Sequence, residues 1–417
     1  MINSLFMVNS HRDIFMEKHW RTAIKKSVCD SFFQALEKTS QPEDVPPIIV
    51  TPNHYLISIY RERLYFVSVV TKEVQPLFVV EFLHCIVDTF ISYFGECQER
   101  TIKDNYVVVY ELLEEMLDNG YPLATESNVL KELIKPPNII RKVVNTVTGK
   151  SNVADTLPSG QFSNVPWRRT GVKYTSNEAY FDVTEEVDAI IDRSGSIVFA
   201  EIQGSINCVV KLSGMPDLCM NFVNPRLLDD VSFHPCVRLR RWENERVMSF
   251  VPPDGTFKLC SYHVNANGGS VSVPLYIKHN IQYAGSGGKF EVSVGPRHTS
   301  GKTVEEVRIS SKLPKQVTNV SLEPSQGEYS FNPVNNTLSW DIGKIVPGRP
   351  PTIRGVLSLQ TGVPAPEEKP SLNVSFKIQQ LAISGLRISR LDMRNERYKP
   401  FKGVKYITKA GKFQVRT

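Results

Sequence analysis

From Trp167 to Val415 the chain reads as short runs of alternating apolar and polar residues, broken about every ten positions by Gly, Pro, Asn or Asp, with scarcely a stretch of helical period. Ile197 to Ile202, Cys208 to Leu212, Val247 to Val251, Ser270 to Ile277, Lys289 to Val294, Leu338 to Trp340 and Ser371 to Ile378 are such runs. Successive side chains of a strand point to opposite faces, so a period of two buries one face and wets the other. Many short strands with turn residues between them predict an all-β sandwich, here long enough for two subdomains.

The first third reads differently. Leu5 to Val8 and Ile14 to Met16 flank a turn at Asn9 to Asp13, and Tyr55 to Tyr60 with Leu64 to Val70 flank Arg61-Glu62-Arg63, which predicts two hairpins. Ala23 to Leu36 reads as a helix between them. Phe78, Phe82, Ile86 and Phe90 recur every four residues, as in a helix packed on a sheet. A helix is expected from Tyr106 to Leu117, stopped by Asn119-Gly120, and another from Asn128 to Ile134, with Thr125 or Ser127 as cap and Pro136-Pro137 beyond. Residues 1–141 thus form an α+β domain. Residues 142–165, rich in Ser, Thr, Gly and Asn, read as a flexible linker, and 166–417 as the all-β domain.

Charge divides along the same line. Residues 1–141 carry 14 Lys+Arg against 19 Asp+Glu, and the remainder 35 against 24, so the second part is the one suited to an acidic surface. The seven cysteines include no Cys-x-x-Cys, and the eight histidines no pair at metal-ligand spacing, so neither a disulfide framework nor a metal site is indicated. No signal peptide is expected. Glu81, His84 and Asp88 interrupt the apolar stretch near 77–95, short of the roughly 18 residues a membrane span needs.

Motifs for catalysis or nucleotide chemistry are missing as well. There is no Gly-x-Ser-x-Gly elbow. Gly285-Ser286-Gly287-Gly288-Lys289 lacks the Walker spacing and reads as a hairpin turn. Asp229-Asp230 reads as loop, and Glu111, Glu114 and Glu115 as the wet side of a helix. The expectation is a non-enzymatic chain without cofactor or nucleic-acid partner.

Two segments stand out instead. Asn177 to Val183 and Gly403 to Ile407 are apolar-aromatic strand patterns, each with one charge of opposite sign at similar depth. Side by side, they make Asp182 and Lys405 the frame of a pocket suited to a tyrosine side chain.

Ser213-Gly214-Met215-Pro216-Asp217, Phe250-Val251-Pro252-Pro253-Asp254-Gly255, Gly171-Val172-Lys173-Tyr174, Phe181-Asp182-Val183 and Tyr406-Ile407-Thr408-Lys409-Ala410-Gly411 resemble the medium (mu) subunits of clathrin-type adaptor complexes. Phe233 to Arg238 and the first 140 residues are most similar to the branch found in adaptor complex 3. The resemblance covers nearly the whole chain. It implies a longin-like α+β domain followed by a mu homology domain, an elongated two-part β-sandwich. It further implies large beta-type and delta-type subunits and a small sigma subunit as partners, on the cytosolic face of Golgi, endosomal and vesicle membranes. The implied ligand is a Tyr-x-x-Φ sorting signal (Φ a bulky apolar residue) in cargo tails bound for lysosomes and related organelles.

Carried over by residue, the resemblance puts the tyrosine against Asp182, with Tyr180 as aromatic wall and Lys405 where relatives carry arginine. It puts Φ against Phe181, Ile388, Leu391 and Val404, and the tail as an added strand beside Gly403 to Ile407. Gly403 stands where the endocytic relative has tryptophan, and Val209 where it has lysine. These departures leave open a purely structural subunit with a degenerate pocket. Arg238, Arg240, Arg241, Lys399, Lys402, Lys405, Lys409 and Lys412 form a candidate face for anionic phospholipid.

Overall fold

The structure is a computed structural model. It describes residues 2–39, 42–137, 165, 167–168, 171–264, 271–284, 287–345, 348–360, 364, 366 and 369–417. The linker expected at 142–165 falls almost entirely outside them. The chain divides into two units, Met1–Arg169 and Thr170–Thr417.

In the first unit, β1 (Ile2–Val8), β2 (Ile14–His19), β3 (Ile48–Val50), β4 (Tyr55–Arg61) and β5 (Leu64–Val70) form one antiparallel sheet in the order β2-β1-β5-β4-β3. Both expected hairpins are present, with Met7 opposite Met16 and Ile59 opposite Phe66. Helix α1 spans Asp30–Glu37, shorter than the Ala23 to Leu36 expected, behind a 3-10 turn at Lys26–Cys29. Lys25 and Lys26 oppose the dipole of a helix starting at Ala23, whereas Asp30 favours a start where it sits.

Helix α2 (Pro76–Phe94) starts on a proline and stops at Gly95, whose φ of 84° places its N–H on the Ile91 carbonyl. Its 19 residues are, by composition, long and apolar enough to cross a bilayer despite Glu81, His84 and Asp88. Here Val79, Phe82, Leu83, Ile86, Val87 and Phe90 pack into the core of the unit with Leu5, Ile57 and Phe66.

A short helix α3 (Glu99–Asp104) had no sequence signal. Helix α4 (Tyr106–Met116) ends one residue early, and Asn119-Gly120 is not its cap. With φ of 48° and 84° these two residues make the turn of a small hairpin between β6 (Leu117–Asp118) and β7 (Tyr121–Pro122), the other structure an Asn-Gly pair favours. Helix α5 (Ser127–Leu133) has Glu126 at its cap position and no side-chain cap. Ser127 instead meets the Ser92 hydroxyl at 3.1 Å.

The second unit is built on three long strands, β8 (Glu178–Ile191), β9 (Ile197–Lys211) and, at the far end of the chain, β23 (Phe401–Val415). They belong to a nine-stranded sheet completed by β11 (Leu228–Phe233), β13 (Gly255–Val264), β16 (Val304–Lys312), β18 (Glu328–Asn332), β19 (Thr337–Ile345) and β21 (Leu372–Gln379), ordered β11-β13-β9-β8-β23-β21-β16-β19-β18. A four-stranded sheet, β14 (Leu275–Ala284), β15 (Gly287–Pro296), β20 (Thr352–Leu359) and β17 (Val317–Pro324), packs on it around Trp340, Phe290, Ile353 and Phe413. A three-stranded sheet, β12 (Met248–Phe250), β10 (Asp217–Phe222) and β22 (Ile388–Arg394), makes the third layer element. The β14–β15 hairpin closes at Ala284 opposite Gly287, as the glycine-rich run predicted.

Three expectations are corrected here. The runs Ile197 to Ile202 and Cys208 to Leu212 are one strand, because Gly204 between them is a packing site and not a break. The buried Tyr262 ring lies 2.1 Å from where its Cβ would stand. Gly204→Ala is therefore expected to cost about 1–2 kcal/mol in urea unfolding, and a variant as stable as wild type would refute this packing.

Asp229-Asp230 lies not in a loop but on β11 at an irregularity of register, with the Asp230 carboxylate 3.5 Å from His263 Nδ1. Finally, α6 (Leu239–Glu245) is a helix amid strands. Its polar length hides its one anchor, Trp242, which is buried edge-on against Phe222 and Phe233.

Candidate functional site

Strands β8 and β23 lie side by side and parallel, with Tyr180 opposite Gly403, Phe181 opposite Val404 and Asp182 opposite Lys405. On the other flank β9 sets Val209 beside Tyr180 and Asn207 beside Asp182. Strand alternation then sorts the candidate residues onto two faces. Tyr180, Asp182, Gly403 and Lys405 share the outer one, and Phe181 and Val404 the inner one.

The outer face is open. Asp182 is half-buried and Lys405 exposed, and no hydrogen bond or ion pair among the described residues ends on the Asp182 carboxylate. Tyr180 is 39% exposed; its ring lies 5.6 Å from that of Phe401, and its hydroxyl donates to Glu178 Oε2 at 3.2 Å. A Cβ on Gly403 would meet the Tyr180 ring at 2.8 Å, so Tyr180 takes up space that a larger residue at 403 would claim. Asn207, which the sequence did not single out, is the polar neighbour of Asp182 on this face.

The inner face is apolar at Phe181 and Val404. Phe181 is fully buried and backs Val404, which remains 38% exposed. Across a gap from Val404 lies the start of β22, where Ile388 and Leu391 are half-buried. Side chains of β23 bridge that gap at both ends. The Ile388 N–H donates to the Tyr406 hydroxyl at 2.9 Å, and Lys402 Nζ donates to the Leu391 carbonyl. Val404 stands between the two bridges in sequence, on the stretch of β23 that faces the Ile388 to Leu391 segment. Sequence reasoning named neither Tyr406 nor Lys402 for these contacts.

The edge of β23 beside this gap is free over part of its length. Pairing with β21 runs from Ile407 to Val415 only, since β21 ends at Gln379, while β8 covers the opposite edge from Phe401 onward. Among the described strands, Phe401 to Tyr406 therefore offer unpaired backbone groups, a template for one more strand. The basic face is less uniform than its composition. Arg238 pairs with Asp217 at 2.6 Å, Arg241 with Glu245 at 3.1 Å and Lys409 with Glu186 at 2.6 Å.

The family model of the adaptor complexes medium subunit family matches residues 165–417, and that of the clathrin adaptor complex small chain matches residues 1–137. AP-3 complex subunit mu-1 of Pongo abelii and of Homo sapiens and AP-3 complex subunit mu-2 of Homo sapiens are each 64% identical to this chain over 419 residues, covering 100% of both sequences. A chain in a homology model of the full-length AP-3 complex in an intermediate open conformation has the same fold, with a TM-score of 0.63 at 17% identity over 100% of both chains. The fold is thus a longin-like α+β domain followed by a mu homology domain, and the chain belongs to the adaptor complexes medium subunit family.

Proposed function

We propose that this subunit recognises Tyr-x-x-Φ signals in the cytosolic tails of membrane cargo, without enzymatic activity. The observation that carries this reading is the free Phe401 to Tyr406 edge with a carboxylate on one face and the apolar Phe181 and Val404 on the other. An extended tail on that edge gains sequence-independent backbone bonds, and its tyrosine and Φ side chains supply selection.

The tyrosine would cross β23 above Gly403 to reach Asp182, two strand spacings away or about 9.6 Å. That span suits a phenol and a carboxylate extended toward each other, and a side chain at 403 would stand in its path. Φ would enter between Val404, Ile388 and Leu391.

A short peptide of this kind binds at roughly micromolar strength, about −8 kcal/mol. Capture of cargo then depends on avidity, supplied by a membrane-held complex with large beta-type and delta-type subunits and a small sigma subunit. Golgi, endosomal and vesicle membranes are the proposed location, and transport to lysosomes and related organelles the proposed route. Of the basic side chains, Arg240, Lys399, Lys402, Lys405 and Lys412 have no ion pair among the described residues, Lys402 reaching the Leu391 carbonyl instead, and these are the ones proposed to meet anionic phospholipid.

Calorimetry with a Tyr-x-x-Leu tail peptide tests the reading. Replacing its tyrosine by alanine should abolish measurable heat, and equal binding by both peptides would refute it.

A further inference from the structure

Glu185 follows Asp182 by three positions, and this odd step turns it to the inner face, where it has no accessible surface. No cation pairs with it among the described residues. Three donors converge on it instead. Oε1 accepts from the Tyr262 hydroxyl at 3.3 Å and from the Ser384 hydroxyl at 2.5 Å, and Oε2 accepts from the Ser384 N–H at 3.0 Å. Ser384 Oγ in turn accepts the Leu386 N–H at 3.0 Å. Thr408, opposite Glu185 on β23, holds the same turn, donating to the Leu381 carbonyl at 2.8 Å and accepting the Ile383 N–H at 3.1 Å.

This turn, residues 380–387, carries the chain from the end of β21 in one sheet to the start of β22 in another. Ile388 and Leu391, one wall of the proposed Φ cleft, follow directly.

A buried carboxylate without a cation is a poor way to gain stability. Burial pushes the Glu185 carboxyl above its ordinary range, although hydrogen bonds from Ser384 and Tyr262 pull the other way. An apolar residue would fill the space at lower cost. What the carboxylate supplies is a fixed meeting point for donors from β13 and from the turn, 199 residues away in sequence.

We propose that Glu185 is a positioning residue for the apolar cleft: through Ser384 it anchors the 380–387 turn and so sets how far Ile388 and Leu391 stand from Val404. The proposal rests on the reading of that cleft as the Φ site, and Glu185 itself touches no ligand.

The test uses the full chain with Ser384→Ala, Glu185→Leu and Glu185→Gln. Hydrogen exchange is followed at residues 386–391, and calorimetry compares Leu with Ala at Φ and Tyr with Phe at the tyrosine. Ser384→Ala and Glu185→Leu should speed exchange at 386–391 while leaving the Glu178–Ile191 strand protected. Both should cut the Leu-over-Ala preference about tenfold, since a misplaced apolar wall forfeits methylene contacts, and leave the Tyr-over-Phe preference intact. Glu185→Gln should retain wild-type behaviour, its carbonyl accepting the Ser384 N–H while its amide group donates to the two hydroxyls.

Unchanged exchange at 386–391 in Ser384→Ala, a variant confined to the turn, would overturn the proposal. So would loss of the two preferences in equal measure. A wild-type chain that binds Tyr and Phe tails alike overturns the signal-site reading, whereas the exchange arm judges the anchor without any peptide.

Discussion

Asp182→Ala is expected to weaken binding of a Tyr-x-x-Φ tail about a hundredfold, or about 3 kcal/mol, while leaving the unit as stable as before. The loss is large because a hydrogen bond to a charged acceptor disappears and the phenol is left desolvated without a partner. Stability is spared because no hydrogen bond or ion pair among the described residues ends on Asp182, and such surface positions change unfolding free energy by no more than about 0.5 kcal/mol. Calorimetry and thermal unfolding on the same preparation separate the two effects. Retained affinity would remove Asp182 from the site, and a large fall in Tm would make it structural. The same carboxylate works against phosphotyrosine: a phosphate of roughly −1.5 to −2 charge would be pressed toward an anion, so a phosphorylated tail should not bind.

Much of the strand geometry of this candidate site was legible because strand pairing turns sequence parity into geometry. Tyr180, Asp182, Gly403 and Lys405 were all identifiable from the two strand patterns and the family resemblance, and the structure sets them on one face in adjacent rows. What stayed hidden depends on contacts between residues far apart in the chain. Tyr406 and Lys402 reach the backbone of β22 only because that strand arrives beside them from another sheet. Gly204 looked like a break because the ring that occupies its missing side chain belongs to Tyr262.

Glu185 did leave a signal. It stands at the parity of Ala179, Phe181, Val183 and Val187, all of them buried, and a charge at an apolar position of a strand marks a built polar contact. In the first unit the misreadings came from local competition: Asn119-Gly120 satisfies both a helix stop and a tight hairpin, and only packing decides between them.

The spacing of the signal should matter as much as its chemistry. An extended tail paired to the Phe401 to Tyr406 edge alternates its side chains with a period of two. Residues three apart therefore point to opposite faces, which is how the proposed site is divided: Asp182 lies on the outer face, and the proposed Φ cleft at Val404, Ile388 and Leu391 is on the inner. Removing one residue to give Tyr-x-Φ, or adding one to give Tyr-x-x-x-Φ, turns Φ onto the same face as the tyrosine. The bulky side chain then has no cleft to enter, or the tail must break its ladder to reach it. Full burial of a Leu side chain is worth about 1.5–3 kcal/mol, so both altered tails should bind about tenfold to a hundredfold more weakly than Tyr-x-x-Leu. They should bind no better than Tyr-x-x-Ala, which loses the same contact without changing register. Calorimetry on these four peptides decides the matter, because equal affinity for Tyr-x-Leu and Tyr-x-x-Leu is incompatible with a tail held as a regular strand on this edge.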